Sequence, residues 1–324
     1  MVYYILGIES TAHTFGIGIV DSEGNILANE KDVYSSTTGM IPSELSEHHV
    51  KVYESVLRRA LEKANLSLKD IDLVAYSRGP GIGHALRIGC FVAQSIRELF
   101  NKPVVGVNHC IAHLTIGELT TGIKDPVLLY VSGANTQIIA YDEKKYRIFG
   151  ETLDMGVGNF IDSFAREAGL GFPGGPKIEE LAKKGNKFIQ LPYSVKGMDV
   201  SFSGIYTYLI KKLNEEKLED LCYSLQEVVF AMLVEVTERA MAHLGREAVI
   251  LGGGVALNSR LQEMVRIMAE QRNAKFAVPR RDVLPDNGVM IAWQGWLEYN
   301  SRGEDPEITI RPYERTDDVI VTWK

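Results

Sequence analysis

The chain has 324 residues, of which 45% are hydrophobic and 24% are charged, and its formal net charge is −7. These proportions are typical of a soluble globular protein with room for two domains, and no apolar run approaches the roughly 20 residues of a membrane span. The excess of acidic residues argues against a protein that binds nucleic acid by itself, without partner proteins, through a broad basic face. Three cysteines without a Cys-x-x-Cys pair favour a cytoplasmic protein.

Alternating apolar and polar segments predict a mixed α/β fold in the first part of the chain. Three strands are expected at residues 3–8, 15–20 and 26–33, followed by a helix at 43–65. The pattern continues with a strand at 71–76, a helix at 85–100, a strand at 103–107 and a helix at 110–119. The run Arg78–His84, between the strand at 71–76 and the helix at 85–100, is interpreted as a strand-to-helix turn.

The same order of elements then begins again. Three strands are expected at 127–131, 137–141 and 146–151, and a long helix at 218–244. A strand at 248–251, a helix at 259–271, a strand at 275–278 and a helix at 288–299 complete the second half. The repetition predicts two duplicated lobes, at 1–125 and 126–324, with a helical insertion in the second at about 155–245. Ligands are expected in the cleft between the lobes.

Small residues occupy the turns where these strands end. The loops 9–14 and 132–136 could hold phosphate through backbone amides and hydroxyls, although an ordinary hairpin turn is the preferred interpretation of either loop alone. At 250–260 an apolar strand runs into three glycines, including Gly253, and then into a helix. Glycines allow a flat ring or a ribose to approach the backbone. This arrangement resembles the actin-like, sugar-kinase-like ATPases, in which two ribonuclease-H-like lobes hold a nucleotide.

Two histidines follow a predicted buried strand at a spacing of four residues. His109 and His113 would project from one face of a helix, so their imidazoles could converge on one metal ion. Zinc proteases share this spacing but carry a glutamate after the first histidine. Here that residue is Cys110, which disfavours proteolysis. Solvated or hydrogen-bonded histidines are the alternative interpretation.

Eight motifs together resemble one family in order and spacing over nearly the whole chain. They are Gly7-Ile-Glu-Ser-Thr, Asn108-His-Cys-Ile-Ala-His, Tyr130-Val-Ser-Gly-Ala-Asn-Thr, Asp154-Met-Gly-Val-Gly-Asn, Gly174-Gly-Pro-Lys-Ile-Glu, Ser201-Phe-Ser-Gly, Leu251-Gly-Gly-Gly-Val-Ala-Leu-Asn and Asp286-Asn-Gly-Val-Met-Ile-Ala. The family is the universal tRNA threonylcarbamoyladenosine transferases, and the chain resembles its archaeal and eukaryotic branch. The acidic pair that follows the first hairpin in the bacterial branch is replaced by Ala12-His13-Thr14-Phe15.

The resemblance implies a metal site and an acyl-adenylate site. The implied ligands of one iron ion, with zinc as the alternative, are His109, His113, Tyr130 and Asp286. Tyr130 could instead be a core aromatic, and Asp286 could cap a helix. The implied substrate-binding residues are Tyr130, Val131, Ser132, Gly133, Ala134, Asp162, Gly175, Glu179, Gly253 and Asn258. Exposed helix positions would also explain Asp162 and Glu179.

The implied reaction moves a threonylcarbamoyl group from threonylcarbamoyl-AMP to the N6 amine of the adenosine 3′ of the anticodon, in tRNAs reading codons that begin with A. Glu9 is a candidate general base. The resemblance implies that the chain is the catalytic subunit of the KEOPS complex, with a small protein-kinase-like ATPase subunit and a small dimerising subunit as partners, tRNA as substrate and no membrane contact. ATP could bind in the same cleft. An actin-like ATPase or small-molecule kinase, and a non-catalytic scaffold, are the alternatives.

Overall fold

The computed structural model describes residues 2–35 and 41–324, which form two compact units. The first unit contains Met1–Thr120, Asp142–Tyr146 and Asp286–Lys324, and the second contains Thr121–Tyr141 and Arg147–Pro285. The first division falls close to the lobe boundary expected near residue 125. The C-terminal segment differs from the expectation, because residues from Asp286 onward pack with the first unit rather than with the second.

The first unit is built around a five-stranded sheet. Its elements up to residue 121 are β1 (Tyr4–Glu9), β2 (Thr14–Asp21), β3 (Ile26–Val33), α1 (Pro42–Ala64), β4 (Leu73–Gly79), α2 (Gly83–Phe100), β5 (Val104–Asn108) and α3 (His109–Thr121). The strands lie in the order β3-β2-β1-β4-β5. Strand β1 is antiparallel to β2 and parallel to β4, which is in turn parallel to β5. The turn predicted between residues 78 and 84 joins β4 to α2.

The remaining elements belong mostly to the second unit. They are β6 (Val127–Val131), β7 (Thr136–Asp142), β8 (Lys145–Glu151), α4 (Val157–Glu167), α5 (Gly175–Ala182), β9 (Val195–Lys196), β10 (Asp199–Val200), α6 (Ser203–Lys212), α7 (Leu218–Leu244), β11 (Ala248–Gly252), α8 (Ser259–Gln271), β12 (Lys275–Ala277) and α9 (Gly288–Arg302). A short 3₁₀ helix spans Gly254–Leu257. The second sheet has the order β12-β11-β6-β7-β8, with β11 parallel to β6 and β6 antiparallel to β7. Both sheets therefore join an antiparallel meander to parallel strands, as the repeated pattern predicts.

Each unit has its own apolar core. Leu6, Val74 and Val104 are fully buried in the first sheet, against which α1, α2 and α9 pack. In the second unit, the core joins β6 and β11 to residues of α4, α7 and α8. The parallel strands β5 and β11 are mainly apolar and are buried along their whole length, and β4 is buried except at Arg78. Among the described residues, no helix has both the length and the apolar character needed to cross a bilayer.

Helix α9 begins in direct contact with the first sheet because two glycines face each other there. A Cβ atom on Gly18 would lie 2.1 Å from the backbone nitrogen of Val289, and one on Gly288 would lie 2.0 Å from the backbone nitrogen of Gly18. Any larger residue would separate the helix from β2. The contact therefore fixes the start of α9 and, with it, the residue just before the helix cap, Asp286.

Candidate functional site

Both predicted histidines lie on α3, directly after a buried strand. The side-chain Oδ1 of Asn108 accepts hydrogen bonds from the backbone amides of Cys110 at 3.0 Å and Ile111 at 3.3 Å, so it caps the first turn of the helix. His109 and His113 are buried, and their ring centroids are 4.9 Å apart. The prediction that they share one helix face is confirmed.

Asp286 lies opposite both imidazoles. Its Oδ1 is 3.5 Å from His109 Nε2 and 3.2 Å from His113 Nε2. The cap of α9 is not Asp286 but Asn287, whose side chain accepts a hydrogen bond from the backbone amide of Met290 at 3.0 Å. The helix-cap alternative for Asp286 is therefore wrong, and its carboxylate faces the histidines.

The three side chains could hold a metal ion. One ligand atom from each of His109, His113 and Asp286 lies within 4.8 Å of the others, the one such cluster of histidine, cysteine and acidic groups in the described part of the chain. Imidazole nitrogen and carboxylate oxygen are ligands that iron and zinc accept. Burial lowers the pKa of His113, which favours the neutral form that binds metal. Burial opposes ionisation of Asp286, but the two histidines hold its pKa well below the usual range.

Glu9 holds the imidazole of His109 from the other side. The fully buried Glu9 side chain places Oε2 2.9 Å from His109 Nδ1. Its Oε1 accepts hydrogen bonds from the backbone amide of Thr11 at 2.7 Å and from the Thr11 hydroxyl. A proton on Nδ1 would be donated to Glu9 and would place the ring lone pair on Nε2, which faces Asp286. Carboxylates commonly orient metal-binding histidines in this way.

The fourth predicted ligand, Tyr130, belongs to the second unit. It is fully buried in β6, paired with Gly252 of β11 on one side and Gln137 of β7 on the other. All other residues of β6 are buried too, so Tyr130 could equally be a core aromatic. Its role as a metal ligand stays a prediction, and so does the role of Val131 in substrate binding.

The loop that joins β6 to β7 is anchored on both sides. Within the loop, the Ser132 backbone amide donates to the Asn135 carbonyl at 2.8 Å, and the Asn135 amide donates to Ser132 Oγ at 3.1 Å. The first turn of α4 binds the loop from outside, because the amides of Gly158 and Asn159 donate to the carbonyls of Ser132 and Gly133. Of the three predicted loop residues, only Ala134 is exposed.

Asp162 and Glu179 link neighbouring helices of the second unit. Asp162 Oδ1 accepts a hydrogen bond at 2.8 Å from the backbone amide of Gly174, which precedes α5. Glu179 on α5 accepts one at 3.0 Å from the backbone amide of Ser259, and a second from its hydroxyl. Both carboxylates are half-buried. The alternative that these are ordinary exposed positions is therefore wrong, while their contact with a ribose stays a prediction.

Asn258 caps the next helix of this group. Its Oδ1 accepts from the backbone amide of Arg260 at 2.9 Å, and its Nδ2 donates to Gln226 at 2.6 Å. A cavity of about 670 Å³ is lined by residues that include Glu179, Gln226 and Ser259. Chain contacts thus bring the predicted adenylate residues on α4, α5 and α8 into one connected group.

In the three-glycine run at 252–254, Gly253 is required by the fold, whereas Gly254 leaves space beside the backbone. Gly253 has φ +88°, and a Cβ there would lie 2.4 Å from the carbonyl oxygen of Val131, so the fold itself requires glycine. Gly254 is exposed and has open space on its Cβ side, as has Gly175 at the start of α5. The role of Gly253 in substrate binding stays a prediction, and Gly254 and Gly175 offer open space beside the backbone.

Three adjacent basic pairs, Lys183-Lys184, Lys211-Lys212 and Arg280-Arg281, lie mostly on solvated faces. Lys183 pairs with Glu180 at 2.6 Å, Lys212 pairs with Glu215, and Arg280 pairs with Asp282 at 2.9 Å. Exposed pairs of this kind contribute little to stability. Each local carboxylate also reduces the positive charge available to a nucleic acid.

Sequence reasoning missed Thr11 and the capping role of Asn108. Asn108 could have been found, because an asparagine between an apolar run and a helix is a strong cap signal. Thr11 carries no such signal, because its contact with Glu9 depends on the shape of the loop after β1.

Comparison with known proteins decides the family. The sequence model described as TsaD, tRNA N6-adenosine threonylcarbamoyltransferase, matches residues 23–293. The chain belongs to this family. A tRNA N6-adenosine threonylcarbamoyltransferase of Thermococcus kodakarensis is 54% identical over 323 residues, which cover 98% of this chain and 99% of the relative. A probable bifunctional tRNA threonylcarbamoyladenosine biosynthesis protein of Methanothermobacter thermautotrophicus is 51% identical, with 98% of this chain matching 60% of the longer relative.

Solved structures confirm the actin-like fold class. HypF of T. kodakarensis matches with a TM-score of 0.64 at 14% identity, over 91% of this chain and 47% of that one. Component A of the Acidaminococcus fermentans (R)-2-hydroxyglutaryl-CoA dehydratase matches with a TM-score of 0.59 at 13% identity, over 92% of this chain and 99% of that one. At these identities the likeness describes the fold alone.

Proposed function

We propose that the chain transfers a threonylcarbamoyl group from threonylcarbamoyl-AMP to the N6 amine of the adenosine 3′ of the anticodon, in tRNAs reading codons that begin with A. Membership of the transferase family supports the reaction class. The observation that carries the proposal is the convergence of His109, His113 and Asp286, which an actin-like ATPase does not need, since it binds magnesium through phosphate and water.

The proposed metal is one iron ion, with zinc as the alternative, held by His109, His113, Asp286 and Tyr130. Such an ion supplies Lewis-acid polarisation of acyl or phosphoryl oxygen, worth several kcal/mol. Glu9 and Thr11 keep the His109 ring in one orientation and one tautomer, so that Nε2 is ready to bind.

The adenylate is proposed to bind to the second unit. Asp162 and Glu179 are hydrogen-bond acceptors, and an ionised carboxylate offers about four lone-pair sites. They would accept from ribose hydroxyls, while the open backbone at Gly254 and Gly175 leaves room for the nucleotide. An adenine nucleotide such as ATP is the second proposed ligand of these residues.

The chain needs no nucleophile of its own, because AMP is already a good leaving group on the donor. Holding donor and acceptor together can contribute roughly 7–11 kcal/mol. The amine must lose a proton, for which Glu9 was the predicted base. Both Glu9 oxygens are engaged by His109 and Thr11, which supports an orienting role, and the base role stays a prediction.

Partner proteins are proposed to provide much of the surface that binds tRNA. The net charge of −7 and the ion-paired basic residues support this division. The proposed assembly is the KEOPS complex, with this chain as catalytic subunit beside a small protein-kinase-like ATPase subunit and a small dimerising subunit.

The test is incubation of the metal-loaded protein with threonylcarbamoyl-AMP and unmodified tRNA, with and without these partners, followed by mass spectrometry of the nucleosides. We expect modified adenosine, and none with Asp286→Ala. Hydrolysis of ATP by the chain alone, without any modified adenosine under the complete conditions, would favour the ATPase alternative.

A further inference from the structure

We infer that Glu314, in the C-terminal segment, is a positioning residue for α3, because it fixes the side-chain amide of Asn108 that caps this helix. The inference rests on the proposed metal site, since α3 carries His109 and His113. It adds a carboxylate that is not among the four proposed metal ligands.

Glu314 is a buried carboxylate with several donors around it. Arg78 Nε lies 3.1 Å from both Glu314 oxygens, and Asn108 Nδ2 donates to Oε2 at 3.1 Å. Arg311 Nη1 adds a contact of 3.2 Å to Oε1. A buried carboxylate needs such partners, because removal from water is costly unless its charge is paired and hydrogen-bonded. The contacts hold Glu314 at one position beside the end of β5.

The contact with Glu314 decides which way the Asn108 amide faces. An ionised carboxylate can only accept hydrogen bonds, so it must face the NH₂ end of the amide. The opposite end, Oδ1, then faces the backbone amides of Cys110 and Ile111 and caps α3. Rotation of the amide by 180° would set oxygen against oxygen at Glu314 and NH₂ against the donors of the helix. Glu314 therefore fixes the first turn of α3, which begins with His109.

Arg78 ties this arrangement to the sheet. It lies near the end of β4, next to β5, and its backbone carbonyl accepts a hydrogen bond from the Arg311 amide at 2.6 Å. The C-terminal segment is thereby attached to the strand beside β5 at two points, one through the backbone and one through the Arg78–Glu314 ion pair. The position of Glu314 is thus set by the same sheet that carries α3.

The first experiment compares Glu314→Ala with Glu307→Ala, an exposed glutamate of the same segment. Affinity for Zn²⁺ is measured by competition with a chromophoric chelator, and the Co²⁺ absorption spectrum reports ligand geometry. Loss of a residue that orients a ligand typically weakens metal binding about 10–100-fold. We expect that loss for Glu314→Ala, with an altered Co²⁺ spectrum, and wild-type affinity for Glu307→Ala.

The second experiment exchanges donor and acceptor, and so separates positioning from general stability. Asn108→Asp alone sets two carboxylates against each other and should weaken Zn²⁺ binding about 10-fold or more. Adding Glu314→Gln supplies an amide that donates to the new carboxylate, which still caps α3. We expect the double variant to regain affinity close to that of the wild type.

Two results would overturn the inference: equal Zn²⁺ affinity of Glu314→Ala and Glu307→Ala, or a double variant as weak as Asn108→Asp. If Glu314→Ala does not fold, the inference is tested by comparing Asn108→Asp with the double variant that also carries Glu314→Gln. Failure of the wild type to bind metal would contradict the proposed metal site and the inference together. If the wild type binds Zn²⁺ and the Glu314 variants bind it with the same affinity, the inference is contradicted but the proposed metal site is not.

Discussion

His109 Nδ1 lies 2.9 Å from Glu9 Oε2, and the same carboxylate accepts a hydrogen bond from the Thr11 backbone amide through Oε1. Both Glu9 oxygens are thus engaged. We expect Glu9→Gln to weaken metal binding about 10–100-fold, because the neutral amide holds the imidazole less firmly. Turnover should recover when metal is raised to saturation. Glu23→Gln, at an exposed glutamate, is the control.

A different outcome would give Glu9 another role. If Glu9→Gln keeps wild-type metal affinity but loses about 10²–10⁴-fold in the rate of transfer at saturating metal, Glu9 acts as the general base. Single-turnover transfer and chelator competition on the same preparations separate the two roles.

The double variant His109→Ala with His113→Ala should lose stoichiometric metal, because only Asp286 of the described cluster remains. Elemental analysis of the purified protein provides the measurement, and circular dichroism checks the fold. His84→Ala, at an exposed histidine of α2, should retain full metal. Full retention in the double variant would show that the ion binds elsewhere.

Gly254→Val should weaken binding of adenine nucleotides, because the valine side chain would fill space that is open beside the backbone. Gly253→Val is unsuitable as a test, since φ +88° and the Val131 carbonyl 2.4 Å away would destabilise the fold itself. Calorimetry of Gly254→Val against Gly204→Val, another exposed open site, measures the effect. Equal affinities would mean that the nucleotide does not approach this loop.

The free energy of unfolding should fall as the pH is lowered from about 6.5 to 4, because of His49. Burial, followed by the charges of His48 and His13, lowers the pKa of His49 to about 4, against the favourable charge of Asp32. The unfolded chain then binds a proton over this range that the folded chain does not, at a cost of up to about 3 kcal/mol. Urea unfolding at several pH values should show a weaker pH dependence in His49→Gln. An identical dependence in both proteins would assign the effect to other groups.

The isolated protein should bind tRNA weakly at physiological salt, because the release of counterions rewards clustered lysine and arginine, and the net charge is −7. Adding the proposed partners should tighten binding and steepen its salt dependence. Asp286→Ala should bind tRNA normally in this assembly yet transfer nothing. Tight binding by the chain alone, unaffected by partners, would contradict this interpretation of its acidity.

Local patterns predicted the elements that carry the histidines. The strand expected at 103–107 is Val104–Asn108, and the helix expected at 110–119 is His109–Thr121. These elements follow from the pattern of apolar residues, which is a property of neighbouring positions. Helical residues were also expected at about 155–245, where α4 to α7 lie.

Contacts between distant segments could not be predicted in the same way. The contact of Gly18 with Gly288 and that of Asn108 with Glu314 join residues far apart in sequence, and no local pattern encodes them. For this reason the repeated pattern places the C-terminal segment in the second lobe, whereas residues from Asp286 onward pack with the first unit. The proposed metal ligands are indicated by the spacing of the two histidines and by family motifs, whereas the side chains that orient them are seen only in the structure.

The division of the first unit between distant parts of the chain affects the order of events during translation. Strands β1 to β5 leave the ribosome long before α9, which packs on β1, β2 and β4. At about 5–20 residues per second, α9 follows β5 by roughly 10–40 s. During that interval one surface of the sheet lacks its covering helix, and His109 and His113 lack Asp286. A nascent chain therefore presents only part of the proposed metal-binding cluster, and His109, His113 and Asp286 come together only after Asp286 has been synthesised.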